Sequence, residues 1–242
     1  MLSKFIESGC KVELRAITKP GDENGSEETK KVYASQVYDI LTEDRMEITM
    51  PMEQTKLILL PVDGEYDAVF YGQGNLFQCF VRIIDRYKSN NVYILLVEMT
   101  TNLRKYQRRE YYRFSCALDM CARPLMEEEI KAVEKREPYN MTPGLPLKRS
   151  VIVDISGGGL RFMSNQRYEP ESLIYCTYNL LMNGKNKEYE IVGKILSVKE
   201  LENKKGTYEH RVQYVNLDVV DREEIIKYIF EEERKSRWRE KG

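Results

Sequence analysis

Between Lys11 and Met99 apolar and polar residues alternate with a period of two, in runs too short for a paired helix and rich in Val, Ile and Tyr. KVELRAI, KVYASQVYDIL, MEITMP, LILLPV, YDAVFY, FQCFVRIIDRYK and NVYILLVEM all read as strands. PGDENGSEE, PVDGEYD, YGQGN and KSNN separate them, each with the Gly, Pro, Asn or Asp that a tight reversal needs. Strands this close together, with no long amphipathic helix among them, predict a small antiparallel barrel or sandwich. Gly72 and Gly74 belong to a hairpin turn on this reading, because no helix follows to make the segment a phosphate loop.

The composition changes after Met99. TTNLRKYQRREYYRF places five cations, Arg104, Lys105, Arg108, Arg109 and Arg113, within ten residues against the single acid Glu110. Tyr106, Tyr111, Tyr112 and Phe114 are interleaved, a mixture suited to phosphates and planar bases. The expected division is therefore a first domain over 1–102 and a second over 103–242, with 103–113 as linker. Strands resume in YYRFSCALDMCARPL and stop at an inserted stretch near 126–148. Its first half suits a short helix; Pro138, Pro143 and Pro146 make its second half irregular.

In SVIVDISGGGLRF the alternation turns Val151 and Val153 to one face and Ile152 and Asp154 to the other, with Ser156 on the face of Asp154. Gly157, Gly158 and Gly159 permit a turn with positive φ and a close approach to the backbone. LIYCTYNLLM, KEYEIVGKILSVKEL and YEHRVQYVNL complete a second antiparallel set, with turns at MNGKNK and ENKKGT. A terminal helix is expected to start with Asp221 as its cap, Glu224 completing a capping box and Val220 stapled to Ile225. Ile225, Ile226, Ile229 and Phe230 form its apolar stripe, and Glu231–Lys235 and Glu233–Arg237 are spaced for ion pairs. Trp238 stands alone in the charged tail.

Composition narrows the function. A chain of 242 residues, 42% hydrophobic, with a net charge of -1, is neither disordered nor basic enough overall to coat nucleic acid. One histidine, His210, leaves little for zinc ligation or imidazole catalysis, so neither a metal site nor a catalytic set is expected. Five cysteines without a CxxC pair fit a reduced, cytoplasmic protein, with Cys116 and Cys121 as core filler. No apolar run approaches the roughly 20 residues of a membrane helix. Glu7 falls where the apolar core of a lipoprotein leader would run, so MLSKFIESGC is not read as one.

Two motifs occur in order: RREYYR supplies Arg109 and Arg113 as RxxxR, and DISGGG supplies Asp154, Ser156 and Gly159 as DxSxxG. Together they resemble the PilZ domain family, bacterial receptors for cyclic di-GMP. The resemblance implies an all-β chain of two small antiparallel β-barrel domains in tandem. The first is a flagellar-brake-like split barrel, and the second is a six-stranded barrel with a C-terminal helix. It implies a ligand site of Arg108, Arg109, Arg113, Asp154, Ser156 and Gly159, with Arg104, Lys105, Gln107, Gly158 and Arg161 as secondary contacts. Arg108 is the residue that the family associates with two stacked ligands per chain. The chemistry is compatible: an arginine fork matches phosphate and the O6/N7 edge of guanine, and Asp154 can accept from guanine N1 or N2. By the same resemblance the ligand is cyclic di-GMP with no cofactor, and binding reorients the domains. The partners are flagellar motor stator or switch proteins, met at the flagellar basal body. The alternatives are control of exopolysaccharide synthesis, or a nucleic-acid-binding barrel that uses the basic linker. The gap between the motifs exceeds what the family implies, and the 126–148 insertion accounts for it.

Overall fold

A computed structural model describes residues 2–17, 31–137, 141–182 and 184–240. The turn expected at PGDENGSEE, Pro138, and Asn183 of the MNGKNK turn lie outside the described residues. The chain forms two compact units, Met1–Arg108 and Arg109–Gly242.

The first unit contains β1 (Lys11–Ala16), β2 (Val32–Ile40), β3 (Arg45–Thr49), β4 (Met52–Glu53), β5 (Lys56–Leu57), β6 (Glu65–Gly72), β7 (Asn75–Ser89), β8 (Val92–Met99) and β9 (Arg104–Lys105). Its sheet runs β6-β1-β2-β3-β8-β7-β9, and a further β6–β7 pairing joins the ends of the first six strands into a ring. Alternation sends Val12 and Leu14 inward, where they meet Val37, Ile48, Val81 and Ile83 in one apolar core. The YGQGN hairpin forms as expected: Gly72 pairs with Asn75 across Gln73 (φ 47°) and Gly74 (φ 73°). Asn90 (φ 47°) and Asn91 (φ 65°) make the same two-residue reversal between β7 and β8.

LILLPV is not a strand. Only Leu57 of that run is paired, in the small β4–β5 hairpin, and Leu59 is exposed while Leu60 alone is buried. Pro61 lies within the run and lacks the N–H that a continuing ladder requires.

The second unit is a closed barrel in the order β10-β11-β12-β15-β14-β13. Its strands are β10 (Arg113–Pro124), β11 (Lys148–Ser156), β12 (Gly159–Ser164), β13 (Leu173–Met182), β14 (Lys185–Leu201) and β15 (Lys204–Tyr214). Ile152, Ile155, Phe162, Ile174, Tyr178 and Ile195 fill it. Two buried hydroxyls, those of Tyr178 and Tyr214, are paired inside it, 3.0 Å apart. His210 stacks on Phe162 and its Nε2 accepts from the Tyr168 N–H at 3.1 Å. Burial pulls its imidazole down to about 4, so the ring stays neutral.

The inserted stretch forms α1 (Glu127–Lys135) and then irregular chain. Ile174 and Cys176 face the barrel interior, so Tyr175 between them, and Val192 opposite it, face outward. Leu125 and Val133 cover that outer patch, with Ile130 and Met141 at its edge. Arg123 and Glu129 hold the insertion in place through two hydrogen bonds of 2.8 and 2.7 Å, and both side chains are about 5% exposed or less. Glu129 also accepts from the N–H groups of Met126 and Thr142, and the Arg123 guanidinium first, then these two donors, hold its carboxyl down at about 2 against the opposing effect of burial. The insertion thus rides on β13 and β14, the part of the barrel opposite β11 and β12.

The terminal helix, α2 (Val219–Glu240), starts earlier than expected. Asp218 is its cap: the carboxylate accepts from the Val220 N–H at 2.7 Å. Asp221 and Glu224 instead receive Lys187 of β14, and Val220 is exposed rather than stapled. Ile225, Tyr228 and Ile229 are the buried stripe; Phe230 points to solvent. Glu233 pairs with Arg237 as the spacing predicts, whereas Lys235 pairs with Glu232.

Candidate functional site

Regular alternation along β11 would bury Asp154 with Ile152, and the structure differs because β11 bulges. Ile152 pairs with Phe162 and Asp154 with Arg161, so Val153 and Asp154 together oppose one residue of β12. Ile152 and Ile155 both enter the core, and Asp154 turns outward beside Arg161. Beyond the bulge, Ser156 returns to the outer face as well.

The register then assembles two rows across neighbouring strands. Arg113 pairs with Ser156, Ser156 with Gly159, and Gly159 with Gln213. One step along, Ser115 pairs with Asp154, Asp154 with Arg161, and Arg161 with Arg211. Cross-strand partners share a face, so the second arginine of RxxxR and all three residues of DxSxxG lie together on the outside of the barrel.

Charges organise this face. Arg161 Nε lies 3.3 Å from Asp154 Oδ2, and its Nη1 donates to Glu209 Oε2 at 3.0 Å. The contact with Asp154 is close but not aligned for a hydrogen bond, so it leaves carboxylate lone pairs for another donor. Ser156 Oγ donates to the Gly159 carbonyl at 2.9 Å, which closes the two-residue turn. Cys116, beneath Asp154, is no nucleophile, since burial and then the Asp154 charge push its thiol up to about 11.

The glycines serve space rather than φ. None of Gly157, Gly158 and Gly159 has a φ in the left-handed region, contrary to the expected turn. A Cβ on Gly159 would stand 2.0 Å from the Val212 carbonyl oxygen, and one on Gly157 would meet Tyr111 and Ile226. The Tyr111 ring lies against Gly158 as well, at 3.0 Å from the position of a Cβ. Tyr111 therefore uses the close approach expected for a ligand. Tyr112 donates to Glu233 of α2. Both tyrosines of RREYYR are thus anchors for the segment that carries Arg109 and Arg113, and both arginines are exposed.

The earlier cations belong to the first unit. Arg104 and Lys105 form β9, paired with Gln78 and Phe77, and Arg104 donates to Gln78 Oε1 at 3.0 Å. Arg108 Nη1 donates to the Tyr71 hydroxyl at 2.8 Å. Gln107 lies between these two points in irregular chain.

The PilZ domain family profile matches residues 107–231, just over half of the chain and the whole of the face just described. The chain belongs to the PilZ domain family. Upstream of this PilZ domain a second profile, described as flagellar protein YcgR, matches residues 7–99. The Bacillus subtilis inhibitor of motility MotI/DgrA has a similar fold, with a TM-score of 0.70 at 18% identity over 96% of this chain and 100% of its own. YcgR from Escherichia coli, solved with c-di-GMP, gives a TM-score of 0.48 at 15% identity, over 96% of this chain and 88% of its own. A comparison of the sequence with curated proteins finds no match.

Sequence reasoning missed Arg222, which α2 brings to the glycine turn of the PilZ barrel. Its Nη1 donates to the Gly157 carbonyl at 2.8 Å while the guanidinium sits 5.5 Å from the Tyr111 ring centroid. Glu209, which shares Arg161 with Asp154, was missed too. Neither residue lies within either motif, and only strand register and the helix position bring them there. Among the described residues no cluster of three or more His, Cys, Asp or Glu could hold a metal ion, and no helix is long and apolar enough to cross a membrane.

Proposed function

We propose that this PilZ protein is a cyclic di-GMP receptor whose ligand lies on the outer face of β10, β11 and β12. The observation that carries the reading is the row Arg113–Ser156–Gly159, in register across three strands beside Asp154. Arg109 and Arg113 take phosphate and the guanine O6/N7 edge, and Asp154 accepts from guanine N1 or N2. Ser156 and Gly159 shape the turn that the purine lies against. Arg108 adds a third cation for a second, stacked ligand. Arg161 is a secondary contact, and Gly158 offers room once Tyr111 moves.

The output proposed is regulation of flagellar motility through a change in the orientation of the two domains, which we place at 1–102 and 103–242. The YcgR-type match ahead of the PilZ match supports this choice of output over exopolysaccharide synthesis. The ligand must bind one arrangement better than the other to shift the population. On this reading the protein acts in the cytoplasm, contacts a stator or switch protein at the flagellar basal body, and performs no catalysis.

Titration calorimetry with cyclic di-GMP tests the reading. We expect micromolar affinity or tighter, about 8 kcal/mol, and two ligands per chain, with Arg108→Ala moving the ratio toward one. Arg109→Ala and Arg113→Ala should each cost about 1.5–3 kcal/mol, the scale of a charge-assisted hydrogen bond. Wild-type affinity in both folded variants would remove the site. Steep salt-dependent binding of single-stranded DNA, with indifference to cyclic di-GMP, would favour the nucleic-acid reading instead.

A further inference from the structure

Arg108 is occupied in the first unit by a built set of side chains. The Tyr71 hydroxyl accepts from Arg108 Nη1 at 2.8 Å and donates to Glu13 Oε1 at 2.6 Å. Lys11 bonds the same carboxylate oxygen at 2.8 Å, and Arg15 approaches the other at 3.8 Å. Lys11 Nζ and the Arg108 guanidinium also lie 4.9 and 5.5 Å from the Tyr71 ring centroid. Glu13 and Tyr71 sit on β1 and β6, which pair directly, with Val12 and Leu14 locked in the core on either side of Glu13. The acceptor is therefore fixed in place. A hydroxyl that donates to a carboxylate becomes a better acceptor, so the chain Arg108–Tyr71–Glu13 is stronger than an isolated exposed pair.

We infer that Glu13 and Tyr71 are affinity-determining residues for the ligand, acting as a clamp that withholds Arg108 until cyclic di-GMP takes it. The inference rests on the receptor reading above. The five donors of Arg108 include the fork that would grip a phosphate, and while Tyr71 engages that fork the binding-competent state is only a fraction of the population. The apparent dissociation constant is raised by the reciprocal of that fraction. The first domain thereby enters the binding equilibrium through β1 and β6, and ligand capture releases its hold on the linker. The clamp acts on Arg108, the cation assigned to the second, stacked ligand, so the first ligand is affected less than the second.

Calorimetric titration of cyclic di-GMP into the full chain, as wild type, Tyr71→Phe, Glu13→Gln and each combined with Arg108→Ala, tests this clamp. Both substitutions are small, and circular dichroism would establish that each variant is folded. We expect about 3- to 10-fold tighter binding in Tyr71→Phe and Glu13→Gln, concentrated in the second ligand, and no effect of either once Arg108 is Ala. Unchanged or weaker binding in both variants would overturn the clamp while leaving the receptor reading intact. The same tightening without Arg108 would also overturn it, because the effect would then come from another group. Absence of ligand heat with the wild type would overturn the receptor reading and the clamp together.

Discussion

Asp154 and Arg161 stand opposite each other on β11 and β12, 3.3 Å apart and ion-paired without an aligned hydrogen bond. Glu209 draws the same guanidinium from the other side. The carboxylate is thus oriented, yet its lone pairs stay open to a donor from outside. Asp154→Ala should weaken cyclic di-GMP binding by about tenfold and reduce discrimination against cyclic di-AMP, whose adenine edge offers no N1–H donor. Competition titrations with both dinucleotides measure this; unchanged selectivity would take Asp154 out of guanine recognition.

Gly159→Ala should be far more damaging than Gly158→Ala. The first places a Cβ 2.0 Å from a backbone carbonyl of β15, which cannot yield without parting two strands. The second meets the edge of the Tyr111 ring at 3.0 Å, and that ring can swing away. Urea unfolding should show a loss of about 3 kcal/mol for Gly159→Ala and under about 1 kcal/mol for Gly158→Ala.

The insertion can be loosened without touching the ligand face. Removing Glu129 leaves Arg123 charged and buried, at a cost of about 3–5 kcal/mol. Glu129→Ala should therefore lower the unfolding midpoint sharply, while its folded fraction keeps the wild-type ligand affinity. The pH dependence follows from the direction of the shift. Since the folded carboxyl is held at about 2, below its unfolded value, the stabilisation is full above about pH 4.5 and fades as pH falls toward 2. Acid titration of wild type against variant should converge in that window.

His210 acts in the same sense over a higher pH range. Its folded imidazole titrates at about 4 and its unfolded one near 6.5. Below about pH 6.5 the unfolded chain takes up a proton that the folded barrel refuses, so stability declines until about pH 4. The loss between pH 7.5 and pH 5 should be about 2 kcal/mol. His210→Gln, which keeps an acceptor for the Tyr168 N–H, should flatten that slope; an unchanged slope would assign it to other groups.

Most of the architecture could be read from local signals, for reasons visible in particular elements. The two-residue turns at Gln73–Gly74 and Asn90–Asn91 are encoded by residues that tolerate positive φ, and the strands beside them follow from alternation. LILLPV misled because apolar character does not specify pairing, and its own Pro61 interrupts the ladder. The helix start shifted because Asp218 and Asp221 are both competent caps; Lys187, from a distant strand, engages Asp221. At the candidate site the two motifs name Arg109, Arg113, Asp154, Ser156 and Gly159, but Arg222 and Glu209 arrive by tertiary contact. No spacing in the chain announces them.

The bulge at Val153 decides what the letters of the second motif are worth. With unbroken alternation from Ile152, the same string would aim its aspartate into a core of isoleucine and phenylalanine, and the string alone would not reveal it. A relative that keeps every motif letter but loses the extra residue opposite its β12 would present a blank wall to the nucleotide. Such a protein would be a natural silent copy, able to occupy the same partners as its responsive kin while ignoring the messenger.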